Sequence, residues 1–264
     1  MIEFVIGMVG LAFGSFVNAL VWRIRHKRDF VNERSECTHC HHVLAWNDLI
    51  PVVSWLLLRG KCRYCHKKID DSPVVEVTTA LLFVLSYLVW PYGFAEAGVA
   101  LFILWLVALV MLVALAVYDI RWYLLPDKLV FPLVVVGLLI GITRFYFVEG
   151  AGIAETLLQM IIGVLVISGL YFVLHQLSSG KWVGFGDVKL AVFIGFVLGW
   201  QSALLALFLA NLIGLAVILP LLITKKIHAK SKIPFGPFLI VASFIAFLWG
   251  EKIISWYLGT ILMI

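Results

Sequence analysis

Apolar residues in this chain come in long runs rather than in narrow stripes. Eight stretches, roughly 4–22, 74–90, 98–117, 129–148, 156–177, 188–200, 202–223 and 234–249, are apolar around their whole circumference. That pattern suits helices that face lipid or a fully buried core. Crossing a bilayer takes about 20 mostly apolar residues, so the pattern predicts about eight transmembrane helices, the sixth and last being shortest. The tail 253–264 is too short for a full span and is expected in the membrane interface. The first run carries little N-terminal charge and no small-residue cleavage site follows it, so it reads as a retained helix.

One long polar stretch, 23–73, interrupts the pattern. The predicted fold class is therefore an all-α polytopic membrane protein with a small loop domain between helices 1 and 2. Three parts are expected: a first helix over 1–22, the loop domain over 23–73 and a transmembrane domain over 74–264. Composition agrees: 63% of residues are hydrophobic and 13% charged, with a mean hydropathy of +1.08, which excludes a water-soluble globular domain.

The charges orient the chain. Of 20 Lys and Arg, ten lie in 23–73; Arg121, Lys128, Lys181 and Lys189 follow the third and fifth runs, and Lys225, Lys226, Lys230 and Lys232 follow the seventh. Eight spans with the N-terminus outside put these eighteen on one side and leave only Arg144 and Lys252 on the other. The excess of Lys and Arg marks the cytoplasmic side. Topology alone explains the basic loop as well as substrate attraction does, and the charges also suit anionic lipid headgroups. No nucleic-acid partner is expected.

All four cysteines lie in that loop, as Cys37-Thr38-His39-Cys40 and, after 21 residues, Cys62-Arg63-Tyr64-Cys65. Two CxxC knuckles offer four thiolates to one tetrahedral ion, the pattern of a zinc site. Cytoplasmic placement disfavours structural disulfides, and a redox dithiol or four ordinary thiols are the plainer alternatives. Four cysteines leave no open position for water, so the zinc would be structural, folding a loop with few apolar groups of its own. Leu49-Ile50-Pro51 and residues 53–58 are free to pack on the zinc fold or on the membrane surface.

Two carboxylates stand at the edges of apolar runs, where charge is costly and suggests function. Asp119 ends the third run; Asp187 stands in Gly184-Phe185-Gly186-Asp187 at the start of the sixth. The topology puts both near the cytoplasmic face at similar depth. The membrane runs offer no nucleophile elbow, HExxH helix or phosphate loop, and His26, His175 and His228 form no recognisable triad. Two acids remain. In an aspartic protease one ionised carboxylate takes a proton from water while a protonated partner polarises the scissile carbonyl, and the two titrate as one unit. Gly184 and Gly186 permit backbone conformations closed to other residues, let a substrate backbone come close, and break the chain before a helix. The plainer reading makes Asp187 an N-cap and the glycines a turn. Asp127, after Pro126, reads as a helix start, and Lys189 as a snorkelling side chain. Pro234-Phe235-Gly236-Pro237 reads as a loop boundary that is also placed to position substrate.

Taken together these motifs resemble the bacterial type IV prepilin peptidases, membrane aspartic proteases of the GxGD type. Gly14-Ser15-Phe16-Val17-Asn18 with Arg23 is similar to the family's opening motif. The CxxC knuckles, with Leu49-Ile50-Pro51 and Ser54 between them and Pro73 and Glu76 after, resemble its cytoplasmic domain. Asp119 with Leu125-Pro126-Asp127, then Gly184 to Leu190, resemble its two catalytic motifs, and Pro234 to Pro237 its closing one. The resemblance implies an enzyme of the bacterial inner membrane that cuts the basic leader from prepilins and pseudopilins after a glycine. Asp119 and Asp187 would be catalytic, with Gly184, Gly186, Pro234 and Gly236 positioning substrate. Many members also methylate the new N-terminus with S-adenosylmethionine, a reaction associated with the zinc loop and, by position, with Gly14, Asn18, Arg23 and Glu76. Two departures, Ile24-Arg25 after Arg23 and Ser72 before Pro73, fall in that part. The competing expectations are a presenilin-like protease, a proton-coupled transporter with paired carboxylates, and a membrane anchor whose zinc loop recruits a partner.

Overall fold

The computed structural model describes residues 1–29, 34–69, 71–226, 228 and 233–260. Among these residues there is no strand, only two isolated β-bridges. The helices are α1 (Ile2–Arg25), the short α2 (Val53–Leu57), α3 (Val74–Leu88), α4 (Glu96–Trp122), α5 (Asp127–Ile142), α6 (Ile153–Ser178), α7 (Phe185–Ile223) and α8 (Gly236–Thr260). A π-helical turn, Thr143–Val148, extends α5.

Six of these are long and apolar enough to cross a membrane: α1, α4, α5 with its π turn, α6, α7 and α8. The expected count of eight is matched only roughly, for two reasons. The second expected span is α3, an apolar helix of 15 residues. The sixth and seventh are the two arms of α7, a 39-residue element broken at Gly199, whose φ of 67° and ψ of −179° are not helical. The segment 253–260 is not a separate interfacial piece, because it continues α8 without interruption. Lys230, Lys232 and the tail end 261–264 lie outside the described residues.

The chain divides into two compact units: Met1–Val89 with Leu109–Val117, and Trp90–Ala108 with Tyr118–Ile264. In the first, α1 and α3 pack through a small-residue face. A Cβ on Gly10 would strike the Ala80 backbone and one on Gly14 the backbone of Glu76, so only glycine lets the two helices approach this closely.

In the second unit, helix pairing follows from similar close contacts. Gly163 on α6 lies against Gly195 and Gly199, and Ser168 Oγ donates to the Val188 carbonyl at 3.0 Å, so α6 runs antiparallel to the first arm of α7. Gly137 and Gly141 on α5 meet Phe193 and Phe196, which makes α5 parallel to that arm. Gly250 of α8 faces Ser202, and Gly214 faces Phe238. The second arm therefore runs antiparallel to α8, and the chain doubles back at Gly199. Trp105 stacks on Phe247 at 4.0 Å and seals the α8 side of the core. This arrangement brings the starts of α5, α7 and α8 and the end of α4 to one end of the bundle.

Candidate active site

Asp119 lies in the last turn of α4 and is 6% exposed. Its backbone carbonyl accepts the Tyr123 N–H at 2.8 Å, closing the helix with Tyr123 in the left-handed region at φ 55°. Its carboxylate Oδ2 accepts the Gly236 N–H at 3.2 Å, from the first residue of α8. A carboxylate at a helix C-terminus opposes the helix dipole; the α8 N-terminus facing it supplies the compensating positive end. Asp187 is the third residue of α7, and its Oδ2 accepts the Gly184 N–H at 3.2 Å. It is half-buried and lies within electrostatic range of Asp119. The fold thus brings together two carboxylates that are far apart in sequence.

The plainer reading of Asp187 is met in part: the residue performs the capping-box function from the third position, not from the N-cap, which is Gly184. The glycines need a correction. Gly184 is extended at φ −71° and ψ 149°, and Gly186 is helical, so neither uses a conformation reserved for glycine. Their requirement is space. A Cβ on Gly186 would press on Leu125, one on Gly184 would come within 3.2 Å of Asp187 Oδ2, and one on Gly236 would come within 2.7 Å of Asp119 Oδ2. Pro234 stands just before α8, two residues ahead of the Gly236 that donates to Asp119.

Asp127 begins α5, as its position after Pro126 predicts. Its Oδ1 accepts the Lys189 ammonium at 2.6 Å, and that ammonium lies 5.1 Å from both the Phe131 and Phe185 ring centres. Lys189 is held in this end of the bundle by a charge partner and two aromatic faces, where snorkelling alone was expected. His175 Nδ1 pairs with the Val183 carbonyl at 2.9 Å and stays outside the carboxylate pair.

In the first unit the four cysteines are free thiols whose sulfurs all lie within 4.8 Å of one another. Cys37 and Cys65 Sγ are 3.9 Å apart. A tetrahedral zinc with arms of about 2.3 Å has sulfur–sulfur edges of about 3.8 Å, so the donor set fits a metal ion. Each knuckle is the same turn: Cys37 N–H donates to the His42 carbonyl and Cys62 N–H to the Lys67 carbonyl. His41 and His66, each directly after the second cysteine, both take positive φ. Against the effect of burial, the Cys40 and His39 N–H groups and neighbouring thiols hold Cys37 down to about 6. Cys40, though exposed, is pushed up to about 11: the His42 N–H works the other way, but some desolvation and the other three thiols prevail. Thiols crowded this closely ionise together only if a cation sits among them. Asp48 ties down the second knuckle, accepting from Arg63 Nε at 2.7 Å and Tyr64 Oη at 3.1 Å. Although burial opposes it, the Arg63 guanidinium and the Ala45 N–H keep its carboxyl below the usual range. Of the apolar stretch between the knuckles, Trp55 packs on Gly60 while Leu56 and Leu57 stay exposed.

Gly14 meets Glu76 across the α1–α3 pair, Asn18 follows one turn later on α1, and Arg23 lies farther along the same helix. Glu76 Oε2 accepts the Val52 N–H at 2.6 Å, holding a β-branched residue at φ 61°. Asn18 is buried, and its Oδ1 has no hydrogen-bond partner among the described residues.

Sequence reasoning missed Tyr171 and the structural weight of Arg144. Tyr171 is buried on α6 within electrostatic range of Asp187; a tyrosine inside an apolar run gives no signal without the helix pairing. Arg144, read only as a charge on the opposite side, is 4% exposed. It donates to Glu149 at 2.7 Å, the Val197 carbonyl at 3.1 Å and Glu251 at 3.0 Å.

Similarity to known proteins runs along nearly the whole chain. The bacterial peptidase A24 N-terminal domain matches residues 8–90 and the type IV leader peptidase family matches residues 106–219. Proteins named prepilin leader peptidase/N-methyltransferase are similar throughout. The one from Aeromonas salmonicida (strain A449) is 33% identical over 97% of this chain and 93% of its own length. Those from Stutzerimonas stutzeri and Pseudomonas aeruginosa are 32% and 31% identical, each over 95% of this chain and over 92% and 91% of their own lengths. No solved structure matches. Since both domains match in order and relatives above 30% identity align over nearly their full length, the chain belongs to the type IV leader peptidase family.

Proposed function

We propose that this protein is a membrane aspartic endopeptidase that removes the leader from type IV prepilins and pseudopilins and then methylates the new N-terminus. The observation that carries the reading is the meeting of Asp119 and Asp187, one at the end of α4 and the other at the start of α7, beside the Gly236 amide. In this reading one carboxylate, ionised, takes a proton from water, and the other, protonated, polarises the scissile carbonyl. Gly184, Gly186, Pro234 and Gly236, which lie beside the two carboxylates, position the substrate. A prepilin suits such a site: its apolar helix stays in the bilayer while the cleavage point meets the carboxylates at its edge.

The division of labour follows the expected parts, with 74–264 cutting the peptide bond and 23–73, after the first helix 1–22, serving methyl transfer. Zinc on Cys37, Cys40, Cys62 and Cys65 has a structural role. S-adenosylmethionine supplies the methyl group, with Gly14, Asn18, Arg23 and Glu76 on the part that serves the transfer. The charge distribution supports placement in the bacterial inner membrane with the N-terminus outside and both the zinc loop and the carboxylates toward the cytoplasm.

The test is cleavage of a purified prepilin in detergent by wild type, Asp119→Asn and Asp187→Asn, with product masses. Both variants should lose cleavage, and the wild-type product should begin after the leader glycine and gain one methyl when S-adenosylmethionine is added. Cleavage by both Asn variants would sink the aspartic mechanism and favour a transporter or an anchor.

A further inference from the structure

The peptidase reading uses two carboxylates and leaves a third polar group of the same neighbourhood without a role. Tyr171 is 3% exposed, and its hydroxyl has no hydrogen-bond partner among the described residues. Buried hydroxyls are nearly always paired, because an unpaired one bears its full desolvation cost. The position of Tyr171 is fixed from several sides. One turn before Tyr171, Ser168 Oγ donates to the Val188 carbonyl. One turn after it, His175 pairs with the Val183 carbonyl, and its ring lies 5.4 Å from that of Phe185. Residues 168, 171 and 175 share one face of α6, so Tyr171 is level with the turn that carries Asp187, with which it interacts electrostatically. Phe235, next to the Gly236 that binds Asp119, meets the Tyr171 ring edge-on at 6.1 Å. Tyr171 is therefore bracketed by the segments that hold both carboxylates.

Building on the peptidase reading, we propose that Tyr171 is a third catalytic residue, whose hydroxyl donates a hydrogen bond to the scissile carbonyl oxygen of the substrate. In the step it serves, the water oxygen bonds to the carbonyl carbon and a water proton passes to the ionised carboxylate. The carbonyl π electrons move onto the oxygen. Tyr171 O–H donates to that oxygen alongside the protonated carboxyl and keeps its own proton. When the tetrahedral species collapses, the electron pair returns, the C–N bond breaks, and the amine leaves with the proton from the carboxyl that took it. A donor already in place where negative charge develops, and sheltered from water, stabilises the transition state more than the ground state. It also accounts for an orphaned hydroxyl in the free enzyme, since its partner arrives with substrate.

Tyr171→Phe removes one oxygen atom and tests this directly. Steady-state cleavage of a purified prepilin by full-length wild type, Tyr171→Phe and Asp187→Asn in detergent is measured together with their melting temperatures. The expected result is a kcat about 100-fold lower for Tyr171→Phe, a KM within about twofold of wild type, and an unchanged or higher melting temperature, because the deleted group makes no bond in the free enzyme. A wild-type kcat in Tyr171→Phe overturns the role of Tyr171, as does a lowered melting temperature with kcat falling only in step with folded protein. Full cleavage by Asp187→Asn in the same assay overturns the peptidase reading itself, so the two failures are separable.

Discussion

A single methyl group at Gly236 is the smallest change that reaches the carboxylates from outside them. Its Cβ would come within 2.7 Å of Asp119 Oδ2 and 3.6 Å of Leu125 Cδ2. The carboxylate must turn away, giving up the Gly236 N–H it accepts. A misplacement of about 1 Å can cost about 100-fold in rate, so Gly236→Ala is expected to lower kcat for prepilin cleavage by about 10- to 100-fold. The measurement is kinetic, on protein whose melting temperature matches wild type; an unchanged kcat would mean that Asp119 does not need the α8 amide. At this scale the sequence is legible where charge conflicts with environment: a carboxylate at the edge of an apolar run is conspicuous without a structure. Gly184 and Gly186 were legible as special but for the wrong reason, because sequence reports that a side chain is missing and not whether φ or space requires it. Tyr171 was illegible, since its meaning depends on which helix faces α6.

Among the elements, α7 carries the most unusual construction. Its break at Gly199 leaves the last carbonyls of the first arm without helical donors, and Arg144 supplies one of them by donating to Val197. The π turn on α5 carries Arg144 there, where it also lies over the rings of Tyr92, Phe145 and Phe247. At φ 67° and ψ −179° a residue with a Cβ is strained by roughly 1–3 kcal/mol, and the new methyl would lie 3.0 Å from the Phe145 ring. Gly199→Ala should therefore lower the melting temperature clearly. Gly169→Ala on α6, where nothing lies within 4 Å of the added atom, should leave it unchanged or slightly higher. Equal melting temperatures for the two variants would mean that the turn does not depend on glycine. Hydropathy located both arms of this hairpin and the interruption between them to within two residues. It did not reveal the mechanism, because a one-residue turn needs neither a loop nor a proline to mark it.

At the scale of the molecule, the two units differ in what holds them folded. The second is built on buried side chains such as Trp105, Phe193, Leu133 and Ile167. Within 34–69, by contrast, the only buried residues are Cys37, Gly60 and Cys62, so two of the four thiols themselves form what core the loop has. The CxxC spacing made this legible, since a stretch of this length with few apolar groups needs another source of cohesion. The division into two units was not legible at all: the middle of α4 groups with the first unit and its ends with the second, which no break in the hydropathy pattern marks. The consequence is a differential response to metal removal. A strong chelator should open the loop to trypsin at Arg59, Lys61 and Arg63, while the melting transition of the helical bundle changes little. Methyl transfer should be lost at chelator concentrations at which prepilin cleavage persists, and added zinc should restore protection and methyl transfer together. Cys62→Ser should reproduce the chelated pattern without chelator, because three thiolates no longer close the tetrahedron. A loop that stays trypsin-resistant after metal loss has a source of cohesion other than the ion, and the zinc assignment then fails.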